Sequence, residues 1–166
     1  MNKKQKMVIM CLSAVLIAII AALIWASGRE KEPKVNEFVA PEFEQQAVAG
    51  IPEELEESLN YQTFSVEDKM TFGMCGNLTL SEDGTVDIYF TSDASNTFWS
   101  KVKLLDEEGN ILGESGLIKA GEYVKTVEIT NPPAESIPVI AKILTYEEET
   151  YYSEGSATAQ IVLNVK

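Results

Sequence analysis

The chain has 166 residues and no histidine. That removes the commonest general base, the commonest metal ligand and any Ser-His triad. Its carboxylates stand in runs, Asp106-Glu107-Glu108 and Glu147-Glu148-Glu149. A glycosidase needs two carboxylates facing each other across a cleft, which neighbours in one loop do not provide. Gly113-Glu114-Ser115-Gly116 lacks the Gly-x-Ser-x-Gly spacing of a nucleophile elbow. No Cys-x-x-Cys, Walker sequence or EF-hand loop occurs, and only Glu82, Asp83 and Asp87 offer a looser calcium set, weighed against plain turns. Cys11 and Cys75 are the two cysteines. Cys75, in TFGMCGNLTL, reads as a small buried hydrophobe rather than a reactive thiol. These residues predict a protein that is not an enzyme and carries no cofactor and no metal.

What remains is binding chemistry. Trp99 opens one apolar run, and Tyr151 and Tyr152 follow Glu147, Glu148 and Glu149 between two others. Trp and Tyr combine apolar area with a polar tip and are favoured in recognition surfaces. These six residues form the candidate binding surface. An acidic, tyrosine-rich loop suits a basic protein partner or a polar sugar. The competing reading has the rings capping the end of a core.

The elements that would position these residues begin with a long apolar stretch. Residues 7–26, MVIMCLSAVLIAIIAALIWA, contain no charge, proline or glycine. As a helix they span about 30 Å, the thickness of a hydrocarbon core. A cleaved signal peptide has a shorter apolar core, about 7–15 residues, so the length favours a retained transmembrane helix. Lys3, Lys4 and Lys6 precede it, and Trp25 stands at its far end as an interfacial anchor. The expected topology is residues 1–6 as a cytoplasmic tail, 7–26 in the cell membrane, and the rest extracellular. Cys11 and Cys75 would then lie in different compartments and could not pair.

After Gly28 the chain holds 26 acids against 10 bases, a net of −16. That charge repels nucleic acid and anionic headgroups. The expected partners are the bilayer, through the helix, and a protein or cell-wall component outside it. Residues 27–69 read as an acidic linker, with a short helix near 52–59 where Pro52 and four glutamates suit a first turn.

From Met70 onward the pattern is strands and turns. Val86, Ile88 and Phe90 alternate with polar neighbours, as do Val102 and Leu104, and Ile161, Leu163 and Val165. Val127 and Ile129 also alternate, although Lys125 breaks that period. Asp83-Gly84, Gly109-Asn110 and Gly121 mark turns, and residues 139–146 read as a central strand. Residues 147–155 read as a loop. About seven short strands at 8–12-residue spacing predict an all-β, Ig-like β-sandwich over residues 70–166. The Cys-Trp-Cys hallmark of immunoglobulin domains is absent.

The runs VKLLDEEGNILGESGLIKAGEYVKTVEI and ILTYEEETYYSEGSATAQIVLNV, together with MCGN and AVAGIPE, resemble small uncharacterised membrane-anchored β-sandwich proteins of Gram-positive bacteria. Several of these look like cargo of integrative conjugative elements. The resemblance implies a role at the cell surface or in a transfer apparatus, as a non-catalytic interaction or assembly module. The alternative is a carbohydrate-binding module that stacks sugars on Trp99, Tyr151 and Tyr152.

Overall fold

The computed structural model describes residues 2, 39–53, 55–66 and 69–165. The stretch 7–26 expected to form a transmembrane helix, the tail before it apart from Asn2, and the expected linker as far as Phe38 lie outside these residues. Among the described residues no helix is long and apolar enough to cross a membrane. The chain divides into two compact units, Met1–Val39 and Ala40–Lys166, and the strands all belong to the second.

That unit is all-β. Its strands are β1 (Val48–Ala49), β2 (Tyr61–Val66), β3 (Met70–Cys75), β4 (Asn77–Thr79), β5 (Thr85–Ser92), β6 (Trp99–Leu105), β7 (Ile111–Glu114), β8 (Glu122–Glu128), β9 (Ile137–Tyr146) and β10 (Ser153–Asn164). They form two five-stranded sheets, in the orders β1-β8-β5-β3-β2 and β4-β10-β9-β6-β7. A single core draws on both sheets, consistent with a β-sandwich. The alternation explains the layering. Val86, Ile88, Phe90, Val102, Leu104, Ile143 and Leu163 are all fully buried. Phe72 anchors the core, 5.8 Å from the Phe90 ring and 6.0 Å from the Phe98 ring.

Gly76 separates β3 from β4 and lets the chain leave the first sheet for the second, where β4 pairs parallel with the end of β10. Gly84, at φ 82°, then turns it back, with the Gly84 N–H donating to the Ser81 carbonyl. At the opposite edge β7 meets β8. A Cβ on Gly113 would stand 2.2 Å from the Glu128 carbonyl oxygen, so only glycine permits that approach.

Four expectations change. The domain begins well before Met70: β1 and β2 both lie in the stretch read as linker. β2 is a sheet-edge strand of mixed exposure, so its polar residues mask its period. The short helix near 52–59 is a single 3-10 turn at Glu57–Leu59, closed by Asn60 in the left-handed region. Leu55 and Leu59, four apart, do not share a helical face there. Among the described residues the strand count is ten rather than about seven, because β1, β2 and β4 are short or weakly patterned. The loop after Tyr146 covers 147–152 rather than 147–155, since β10 already pairs with β9 from Ser153. The break at Lys125 marks a bulge, with one more residue on β5 than on β8 between the Asp87–Thr126 and Phe90–Val124 pairs. Tyr89, at φ 48°, sits in that bulge.

Candidate recognition surface

Trp99 begins β6. Ser100, Val102 and Leu104 point into the core, so Trp99, Lys101 and Lys103 occupy the outer face. The register sets Trp99 opposite Tyr146, at the end of β9 where the acidic loop departs. Tyr151 returns from that loop onto the indole, with ring centroids 5.0 Å apart and planes at 59°. Phe43 closes the other side edge-on, at 4.8 Å and 77°. Trp99 is therefore half-buried between two rings. The side chain of Tyr152 stays outside, 74% exposed.

Phe43 is the partner that sequence reasoning left in the linker. A short strap holds it in place. The Leu117 N–H donates to the Glu42 carbonyl and the Glu44 N–H to the Leu117 carbonyl, both at 2.8 Å. The Glu44 carboxylate accepts from the Gly116 N–H at 2.8 Å. A Cβ on Gly116 would stand 2.5 Å from the Glu44 nitrogen, so glycine is what lets the strap lie this close. Lys119 Nζ sits 5.1 Å from the Phe43 ring centroid, within cation-π range. A glycine directly after Ser115 was the available signal, but nothing in the pattern connected it to a segment 72 positions upstream.

The loop 147–152 folds on itself. The Glu147 N–H donates to the Tyr152 carbonyl at 2.8 Å, and the Tyr151 N–H donates to the Glu147 carbonyl at 3.1 Å. The Thr150 hydroxyl donates to the Glu147 carboxylate. Glu149 and Tyr151 have φ of 68° and 59°, left-handed values that cost a non-glycine residue about 1–2 kcal/mol. All three glutamates are exposed. The six predicted residues thus split. Trp99 and Tyr151 form a cluster with Phe43, Glu147 braces the loop, and Glu148, Glu149 and Tyr152 face solvent.

Down the same outer face the charge reverses. Lys103 lies opposite Lys142 in the ladder, and Glu114 bridges Lys101 at 2.8 Å and Lys103 at 3.1 Å. Burial pushes the Glu114 carboxyl up, but hydrogen bonds and charge from the two lysines outweigh this and hold it below its usual value. The surface thus presents an acidic corner beside a basic row.

Other chemistry-bearing residues are placed structurally. Cys75 is fully buried, and its thiol is pushed up to about 11 by burial first and by the charge of Asp87 second. Asp83 caps its own turn through the Thr85 hydroxyl and N–H, which hold its carboxyl below the usual value. Asp87 faces Lys125 at 3.9 Å. Among the described residues no three His, Cys, Asp or Glu side chains gather as a metal site. Ser115 is buried; its hydroxyl accepts from the Val102 N–H and donates to the Gly116 carbonyl. Asn77, in a glycosylation triplet, lies in β4 with its amide donating to the Ser58 carbonyl at 3.2 Å. Comparison of the chain with protein-family models and with curated proteins gave no match.

Proposed function

We propose that this chain is a single-pass membrane protein. Its outer domain is an Ig-like β-sandwich that acts as a non-catalytic surface interaction or assembly module, with a role linked to a conjugative element. The observation that carries the interaction reading is the Trp99 corner. A half-buried indole is flanked by Phe43 and Tyr151, and beside it stand the exposed Tyr152 and three exposed glutamates. A rigid aromatic patch next to solvated acids suits a protein partner that brings basic residues. The alternative of a sugar platform on Trp99, Tyr151 and Tyr152 fits less well, because sugar stacking needs an open ring face. The Trp99 and Tyr151 planes are tilted by 59°, and Phe43 stands against the indole.

The test uses a photo-crosslinking residue at position 152 in living cells. A discrete adduct is expected. Joint replacement of Tyr151 and Tyr152 by Ser, with the crosslinker moved to position 149, should abolish it at an unchanged melting temperature. An adduct that survives in the folded double variant removes the corner from the interface. Cell fractionation addresses the anchor: recovery of the intact chain, with residues 7–26, outside the membrane fraction would end that part of the proposal.

A further inference from the structure

β10 is twelve residues long, yet β4 pairs with it only at Val162, Leu163 and Asn164. On that flank the Val162 N–H donates to the Gly76 carbonyl at 3.0 Å, and the Asn164 carbonyl accepts from the Leu80 N–H at 2.8 Å. Backbone groups alternate sides along a strand. Gln160, Thr158 and Ser156 therefore turn their N–H and C=O to the same flank as Val162, while Ala157, Ala159 and Ile161 bond to β9. Among the described residues no strand pairs with 156–160 on the outer side. All three outward residues are exposed.

A groove of about 360 Å³ opens at the Gln160 end of this flank, lined by Ala159 to Val162 of β10 and by Gln62 and Phe64 of β2 at the edge of the other sheet. Phe64, Met74 and Ile161 supply apolar walls, and the amides of Gln62, Asn77 and Gln160 lie along it. None of its lining residues is charged, although 23% of the chain is. Sheet edges are ordinarily guarded by lysine, proline or a bulge. Ser156, Thr158 and Gln160 bring no charge and no proline, and the register stays regular from Gly155 to Leu163.

We propose that the 156–160 flank of β10 is a strand-addition site for an extended segment of another polypeptide. Its backbone pairs with Ser156, Thr158 and Gln160, and an apolar side chain at its Gln160 end drops into the groove. A row of amides and carbonyls that no described strand pairs, at strand spacing, is matched along its length only by another backbone. The uncharged lining selects an apolar side chain at that position. A second copy of β10 fits poorly. It would offer Ala157 and Ala159 to a groove too large for methyl groups, and would bring two strongly acidic domains together. The site rests on the reading of this domain as an interaction module, but it does not use the Trp99 corner.

The test begins by panning a displayed library of short random peptides against the full chain. Enriched sequences should carry an apolar residue towards one end. A synthetic enriched peptide should slow hydrogen exchange at Ser156, Thr158 and Gln160, whereas Ala157 and Ala159 are already protected in the free protein. Thr158→Pro removes an N–H that serves only the outer flank, so it should weaken the peptide about tenfold or more at an unchanged melting temperature. Should that variant unfold, Ala159→Met fills the groove from the core side and should weaken the peptide without altering the ladder. No enrichment, or affinity untouched in the folded variants, overturns the site. Protection that maps to 147–152 also overturns it, and leaves the interaction-module reading standing. Light scattering that shows a dimer dissolved by Thr158→Pro would make the occupant a second copy and refute a foreign strand. The Tyr151, Tyr152 double replacement by Ser should leave peptide affinity unchanged.

Discussion

At Ser100 the side chain points into the core and its hydroxyl finds no hydrogen-bond partner, the one such buried atom among the described residues. An orphaned buried hydroxyl costs about 1–3 kcal/mol of desolvation, so Ser100→Ala should raise the unfolding free energy by about 1 kcal/mol. Chemical denaturation measures this, and a lower midpoint would mean that the hydroxyl has a partner in solution. Cys75 yields a prediction of reactivity and pH. Its thiol is buried and raised from 9.0 to about 11, so the native domain favours the protonated form. That contribution to stability is complete below about pH 9 and is lost as pH rises through about 11. Burial raises the Tyr61 phenol as well, in the same direction. Iodoacetamide should therefore label Cys75 immediately in denaturant and only at the rate of opening in the native state, as read by peptide mapping. Rapid native labelling at pH 8 would show that the thiol is not enclosed. The burial of Cys75 was legible in the sequence, because its neighbours Phe72 and Met74 are apolar. The clustering of Trp99 with Tyr151 was only half legible, since proximity across a loop does not fix the orientation of a ring.

Among the elements, β10 was the easiest to read, because Ile161 and Leu163 alternate with Gln160 and Asn164 over a long run. The structure sets Leu163 fully buried, opposite Ile137 on one side and Leu78 on the other. Leu163→Ala should cost about 2–5 kcal/mol, a large share of a small domain's stability. An unchanged thermal midpoint would place the strand outside the core. β2 was illegible for a physical reason. In this edge strand Gln62 and Thr63 stand next to each other and break the alternation between Tyr61 and Phe64, and Tyr61 reaches over Gly73 to bond the Thr91 hydroxyl at 2.9 Å, a contact no local pattern encodes. The strap through Phe43 was illegible too, because its register is set by residues far along the chain. Gly116→Ala tests it. The added methyl should lift Phe43 and Glu44, bare the indole, and shift Trp99 emission to the red in a Trp25→Phe background, with little loss of overall stability. Emission that does not move would mean the strap contributes nothing to the indole's cover.

On the scale of the whole molecule, charge opposes compaction. Beyond Gly28 there are 26 acids and 10 bases. Raising ionic strength from about 0.01 M to 0.15 M shortens the screening length from roughly 30 Å to 8 Å. The melting midpoint should rise by a few degrees, since screening relieves repulsion among the acids more than it weakens the few ion pairs. A fall in midpoint would show that the Lys101–Glu114–Lys103 bridge dominates instead. All-β class and two-layer packing followed from period-2 alternation and turn residues alone. Which strands share a sheet did not, because the crossing at Gly76 and the parallel pairing of β4 with β10 join segments more than eighty residues apart.

The strap described above also has a mechanical consequence. A pull on the chain ahead of Ala40 reaches the domain first at Glu42 and Glu44, whose bonds to Leu117 and Gly116 are few. These would yield before the long ladders of β9 and β10. The first response to tension is then the loss of Phe43 from Trp99 while both sheets remain whole, so, in the anchored chain proposed above, the aromatic corner would register load as a change in what it exposes.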